Sequence, residues 1–209
     1  MATNETRISG LDTLLKAADG DKLPPVEKWD PEHCGEIGME IRADGTWFYQ
    51  GSPIGRQKLV KLFSRILRRE ADGSHVLVTP VEKVAIDVAD APFRAVEMEV
   101  RSAGERDQSL IFRTNVDDVV TVDRDHELTF RTEERSDGLK PYVEVRRGLE
   151  ALVSRALYYD VVALAEPLDH EADATLSATG KTYGADVVGV WSGGLWWPLL
   201  DATGTADGC

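Results

Sequence analysis

The chain has 209 residues, 42% of them hydrophobic, and a formal net charge of −13 from 37 acids against 24 bases. That length buries one sizeable core or two small ones without staples, and the acid excess excludes a general nucleic-acid binder, whose phosphate contacts need clustered Lys and Arg. Only Cys34 and Cys209 are present, which excludes a disulfide framework and suits a reducing compartment.

In chain order, Met1–Arg7 is polar and no apolar run follows it, and no later stretch approaches the roughly 18 apolar residues of a membrane span. The expected location is therefore the cytoplasm, with no membrane span. Residues 1–35 read as an N-terminal arm. It holds a short helix, Leu11 to Ala18, capped by Ser9 and ended by Gly20, then an extended run forced by Pro24-Pro25. From Ile37 the pattern turns to strand: Met39 and Ile41 alternate with charges, Asp44-Gly45 signals a hairpin, and Trp47-Phe48-Tyr49 follows. Gly51-Ser52-Pro53 leads into a helix at Leu59–Leu67. Val76–Val78, Val84–Ile86 and Val96–Val100 are three further strands, with an Asp72-Gly73 turn before them.

The polar stretch Arg101–Gln108 reads as a boundary, giving a first α+β repeat at 36–104 and a second at 105–200. In the second, Leu110–Phe112, Val119–Val122, Leu128–Arg131 and Tyr142–Val145 are strands, and a helix starts at Leu149. It runs through Tyr158-Tyr159 to about Ala165, where Pro167 stops it. Residues 168–183 are small and acidic, an exposed loop. Val187–Trp191 and Leu195–Leu199 form a hairpin about Ser192-Gly193-Gly194, with its tryptophans buried. Residues 201–209 are a loose tail.

The two predicted helices look like copies. LVKLFSRIL at 59–67 and LEALVSRAL at 149–157 lie ninety residues apart and share five of nine residues. At about 100° per residue, positions 59, 62, 63, 66 and 67 form one apolar stripe flanked by Lys58, Lys61 and Arg65. The expectation is α+β, a duplicated core with a helix packed on one sheet face in each half.

Little in the chain carries recognisable chemistry. Gly180-Lys181-Thr182 resembles the end of a phosphate-binding loop, but Thr175 stands where its first glycine belongs. His33, His75, His126 and His170 are scattered without metal-ligand spacing, and no Ser or Cys has a nucleophile signature, so no metal or cofactor is expected. Arg56–Arg69 carries six bases and no acid, whereas the last 50 residues hold Lys181 as their single base. Such an island attracts a small anion or is a solvated helix face. Two polar strand ends, Val78–Lys83 and Arg113–Asp118, read as turns or as the walls of a cleft.

Those segments also carry a resemblance. TPVEK, TNVDD, PYVEVRRGLEA and WSGG, within a match from about Cys34 to Leu199, resemble the bacterial family called domain of unknown function 1285. The resemblance implies a duplicated α+β core whose second half is pleckstrin-homology-like, with a small, nucleotide-like ligand between the halves and a signalling role. It assigns that ligand to Thr79, Glu82 and Lys83 from the first half and to Asn115, Tyr142, Arg146 and Arg147 from the second. Lysine and arginine would neutralise phosphate or carboxylate, Asn115 would read an amide edge and Tyr142 would stack. The expected function is thus a non-enzymatic ligand-binding or regulatory protein. The competing readings are a hydrolase or transferase with Glu82 or Asp118 as base, and a module that binds a protein partner.

Overall fold

The structure is a computed structural model that describes residues 23–133, 138–167, 177–180, 183 and 187–201. The helix read at Leu11–Ala18, most of the loop 168–183 and the tail beyond 201 lie outside the described residues. The chain forms two compact units, Met1–Pro92 and Phe93–Cys209. Among the described residues no helix is long and apolar enough to cross a membrane.

The first unit runs β1 (His33–Ile41), β2 (Trp47–Tyr49), β3 (Ser52–Pro53), α1 (Gln57–Arg65), β4 (Leu67–Arg69), β5 (His75–Val78) and β6 (Lys83–Val88). Its six strands lie in the order β3-β2-β1-β6-β5-β4. The central pair, β1 with β6, is parallel and every other pair antiparallel. Both Asp-Gly signals mark turns. Asp44 accepts from the Thr46 amide at 2.9 Å, and Asp72 from the Ser74 hydroxyl at 2.6 Å and the Ser74 amide at 2.9 Å; these bonds hold both carboxyl groups below their ordinary pKa.

Helix α1 buries Val60, Phe63 and Ser64, and Phe63 stacks on Trp47 of β2 at 6.4 Å between ring centres. The buried face is thus rotated from the expected stripe. Leu59 and Leu62 are half-buried, and Leu67 is buried but already belongs to β4. One member of the basic island is structural. Arg68 Nη1 donates to the carbonyls of Val26 (2.8 Å) and Trp29 (2.6 Å), pinning a 3-10 turn at Val26–Lys28 to this unit.

The second unit runs β7 (Phe93–Arg101), β8 (Ser109–Thr114), β9 (Val119–Thr121), β10 (Leu128–Thr132), β11 (Leu139–Arg146), β12 (Leu149–Val153) and α2 (Arg155–Ala163). A small sheet of β13 (Glu166–Pro167), β14 (Val188–Ser192) and β15 (Leu195–Pro198) follows. The large sheet has the order β9-β8-β7-β12-β11-β10, with β7 and β12 parallel. This is the strand order and central parallel pair of the first unit. The two-half expectation therefore holds in coarse form, in a chain that is mostly sheet with two α-helices among the described residues.

Three expectations need correction. The stretch Arg101–Gln108 is no boundary: it connects β7 to β8, which pair from Arg101↔Ser109 inward, and the units divide at Pro92/Phe93. Leu149–Val153 is a strand, not the first half of a helix. Arg147 and Gly148, both at positive φ (52° and 74°), form the two-residue turn that folds β12 back on β11. Helix α2 starts only at Arg155, six residues beyond the expected start. The ninety-residue repeat consequently matches a helix to a strand. By strand order β1 corresponds to β7, nine residues each, beginning at His33 and Phe93, an offset of 93 − 33 = 60.

The expected C-terminal hairpin is present, with Trp191, Trp196 and Trp197 buried. A buried polar clasp holds it to the large sheet. Ser192 Oγ accepts from the Leu110 amide at 2.9 Å and donates to the Val122 carbonyl at 2.7 Å, while Gln108 Nε2 donates to the Trp191 carbonyl at 2.8 Å. Gly189 is required by space: a Cβ there would press into the Trp196 indole and stand 2.5 Å from the Trp197 carbonyl oxygen. Ser192→Ala, which strands a buried donor and acceptor, should cost about 1–3 kcal/mol, and Gly189→Ala should cost at least about as much as ordinary overpacking, 1–3 kcal/mol. Urea denaturation checks both, and a change under about 0.5 kcal/mol for either contradicts this account of the hairpin.

Candidate functional site

The residues implied by the resemblance divide between the units. In the first, Thr79 is fully buried and its hydroxyl is occupied within the β5–β6 turn, accepting from the amides of Val81 (3.3 Å) and Glu82 (3.1 Å). Glu82 gives the same turn its backbone, its carbonyl accepting the Thr79 amide at 2.8 Å. Lys83 opens β6, and its Nζ stands 3.9 Å from Asp30 and 4.0 Å from Glu70, the carboxylate that also holds Arg68 at 2.6 Å. These three serve a turn and an ion cluster.

In the second unit, Arg146 at the end of β11 forms an ion pair with Asp118, the residue expected as a catalytic base. The Arg146 side chain is 11% exposed and its guanidinium lies 4.8 Å from the centre of the Phe93 ring. Tyr142 is buried in β11, with Arg131 over its ring at 4.3 Å and Arg131 itself paired with Glu150. That ring is stacked already, by a side chain. Arg147 sits exposed in the turn after β11.

Asn115 behaves differently. Its amide donates to the Arg94 carbonyl at 2.8 Å and its Oδ1 accepts from the Arg94 amide at 3.0 Å, so it fixes the backbone of Arg94 next to the bulge in β7. Arg94 lines a pocket of about 420 Å³ that lies wholly within this unit.

The pocket is built where α2 leaves the large sheet. Leu152 and Val153 at the end of β12 and Leu139 and Pro141 on β11 give it apolar walls. Arg94 comes from β7, in register with Leu152, and Lys140 from β11; Arg155, Tyr158 and Tyr159 come from the first turns of α2. Glu133 is the acid in the lining, and Lys140 Nζ reaches its Oε1 at 3.0 Å. Among the described residues three bases thus face one acid, a local formal excess of 3 − 1 = +2 in a chain of net −13.

The tyrosines are not equivalent. Tyr158 is half-buried against Phe130, ring centres 6.4 Å apart, whereas Tyr159 is 56% exposed and tilts against Tyr158 at 6.0 Å. Arg155 Nε and Nη2 both donate to the Tyr159 hydroxyl at 3.2 Å; that bond, with the nearby Glu133 carboxylate, raises the Arg155 pKa. The first turn of α2 holds no acid, so its positive end adds to this field. Among the described residues no three His, Cys, Asp or Glu side chains form a metal-binding group.

Of the residues singled out from sequence, Asn115 touches this pocket, through the Arg94 backbone. No sequence pattern marks Arg94 or Lys140, and Tyr158-Tyr159 reads as helix alone. The available signal was the cluster Arg155, Tyr158, Tyr159 in an otherwise acidic C-terminal third.

Residues 24–91 match the family described as "Domain of unknown function (DUF1285), N-terminal domain" and residues 92–199 its counterpart "Protein of unknown function (DUF1285), C-terminal domain", a division that coincides with the two units. The crystal structure of a DUF1285 family protein from Silicibacter pomeroyi DSS-3 is similar at 39% identity and TM-score 0.78, over 92% of this chain and 96% of that one. A DUF1285 family protein from Shewanella baltica OS155 aligns at 29% identity and TM-score 0.47, over 61% of this chain and 92% of that one. No curated protein matches the chain.

The Arg146–Asp118 pair is expected to act on stability. Arg146→Ala leaves a mostly buried carboxylate and the Phe93 face without their cation, and should cost about 2–4 kcal/mol. Asp118→Asn should cost less, because the amide keeps an acceptor for the guanidinium. Guanidinium denaturation of both variants checks the order; equal, negligible losses would remove the structural role given to the pair.

Proposed function

The chain belongs to the DUF1285 family, and on that footing we propose that it is a non-enzymatic ligand-binding and regulatory protein whose second unit takes a small organic anion, nucleotide-like molecules among them. The observation that carries the proposal is the pocket at the start of α2, which joins an apolar wall, two tyrosines and a local excess of positive charge in an acidic chain. Ligand sites have this composition: apolar lining for affinity, and a few convergent polar groups for orientation. Its volume of about 420 Å³ suits a ligand of metabolite size.

Two features support binding over turnover. Of the residues offered as bases, Asp118 is engaged in its pair with Arg146 and Glu82 lies in the other unit from the pocket, while Glu133 in the pocket is matched to Lys140. The second unit also places a helix directly after a six-stranded sheet. That order supports the pleckstrin-homology-like reading of this half and, with it, a signalling role in the cytoplasm.

Thermal denaturation tests the proposal. Nucleoside monophosphates and aryl carboxylates are added singly at constant ionic strength. A binder present at a hundredfold excess over its Kd stabilises the folded state by about 2.7 kcal/mol, several degrees in Tm. The rise should disappear in Arg94→Ala/Arg155→Ala. If no member of either class shifts Tm, or the double variant responds as the parent does, the pocket is not a ligand site.

A further inference from the structure

We infer that the outer face of α2 docks a second copy of this chain, the two helices packing antiparallel about a two-fold axis. The helix reads RALYYDVVA, apolar at seven of its nine positions, yet Val161 is its one buried residue. A helix apolar on nearly every side is ordinarily a covered one. Here Ala156, Tyr159, Val162 and Ala163 are exposed, Tyr159 by 56% and Val162 by 40%. At about 100° per residue these four fall within one arc of about 120°. Arg155 stands at the N-terminal end of that arc, and Asp160 lies outside it. Helix α1 is of the ordinary kind, with Lys58, Lys61 and Arg65 opposite its buried Val60 and Phe63.

The face is complementary to itself. Ala156, Tyr159 and Ala163 have the three-and-four spacing of a seam between packed helices. An axis midway between the two alanines sets Ala156 of each copy across from Ala163 of the other. Small side chains then meet small ones, the backbones approach, and Tyr159 and Val162 fill the flanks. The helix ends match as well. The first turn of α2 holds no acid and the last turn no base, so an antiparallel copy brings the positive end of each helix beside the negative end of the other. The same axis places Arg155 across from the C-cap Leu164, where it contributes its charge and keeps its bonds to Tyr159. Two chains of net −13 repel each other, and this acid-free arc is a surface on which they can meet. A basic partner would be drawn to the acidic surface instead. Nine residues make a contact about 14 Å long, smaller than a standard interface, so the dimer is transient.

Sedimentation velocity of the full chain over a rising concentration series tests this, and a monomer–dimer equilibrium is expected. Raising the salt should tighten it, because the repulsion between the acidic copies is screened. Tyr159→Glu and Val162→Glu should each weaken it at least tenfold, since the two-fold axis puts every added carboxylate into the seam twice. Both positions are exposed, and thermal denaturation reports that the variants are folded. Cross-linking tests the arrangement without either variant. In a Cys34→Ser/Cys209→Ser background, Ala156→Cys combined with Ala163→Cys should link two chains on oxidation, whereas Ala156→Cys alone should not. Within one helix the two positions are about 10 Å apart, too far for a disulfide inside one chain. A chain that stays monomeric throughout the series and forms no cross-link overturns the inference. So does a dimer that both glutamate variants retain, or a link formed by Ala156→Cys alone, which requires parallel helices.

Discussion

The parallel pairing of β7 with β12 is the constraint on which the second unit depends. A parallel pair cannot be closed by a tight turn, so the four strands between them must travel out along one side of the sheet and return along the other. The pairing sets Arg94 against Leu152 and fixes where β12 ends. Because α2 begins two residues after Val153, its first turns, with Arg155, Tyr158 and Tyr159, are delivered to the end of the sheet's central strands. The pocket is thus a consequence of topology: a helix leaving a sheet beside the strand that began it. Asn115 reinforces the same place from the opposite side by fixing the Arg94 backbone.

The elements legible in the sequence are those announced by local chemistry. Asp44-Gly45 and Asp72-Gly73 mark real turns because an aspartate two residues before an amide accepts its hydrogen bond wherever the chain lies. Trp191, Trp196 and Trp197 are readable as core because three indoles in seven residues have few other places to go. Leu149–Val153 reads wrongly as helix because LEALV satisfies a helical spacing and a sheet equally well. Its burial, four of five positions, is that of a strand covered on both faces, for which periodicity gives no guide. The deciding signal is Arg147-Gly148, a turn pair whose first residue departs from the usual Asn or Asp. The duplication is legible as an idea and misplaced in register. Two halves of like strand order recur at an offset near sixty, between β1 and β7, whose residues share little, whereas the similar nine-residue segments belong to different elements.

The expected site residues, Tyr142 in the middle of β11 apart, share one property: they are polar groups at or beside strand ends. In this structure such groups are mostly used close to home. Thr79 closes its own turn, Lys83 joins the cluster of Arg68 and Glu70, and Arg146 holds Asp118 and covers Phe93. A motif can be distinctive in sequence because a turn or a partly buried ion pair tolerates no substitute, and such a motif is indistinguishable from a binding motif until the partners are seen. The pocket residues have the opposite character. Arg94, Lys140 and Arg155 lie in three separate elements and form no local pattern, so only the fold assembles them.

Charge links the pocket to the rest of the molecule. A net charge of −13 disfavours anions at long range, yet at physiological salt that repulsion is screened within about 8 Å. Inside that distance an anion responds to the groups that line the pocket, where among the described residues bases exceed acids by two. The acidic exterior and the basic pocket therefore act at different distances. The first discourages large polyanions, which must meet much of the surface, and the second is the field that the proposed small anion would meet beside Arg94, Arg155 and the start of α2. Under the proposed function, selection by size thus follows from the charge distribution, before any contact with the apolar wall distinguishes one small anion from another.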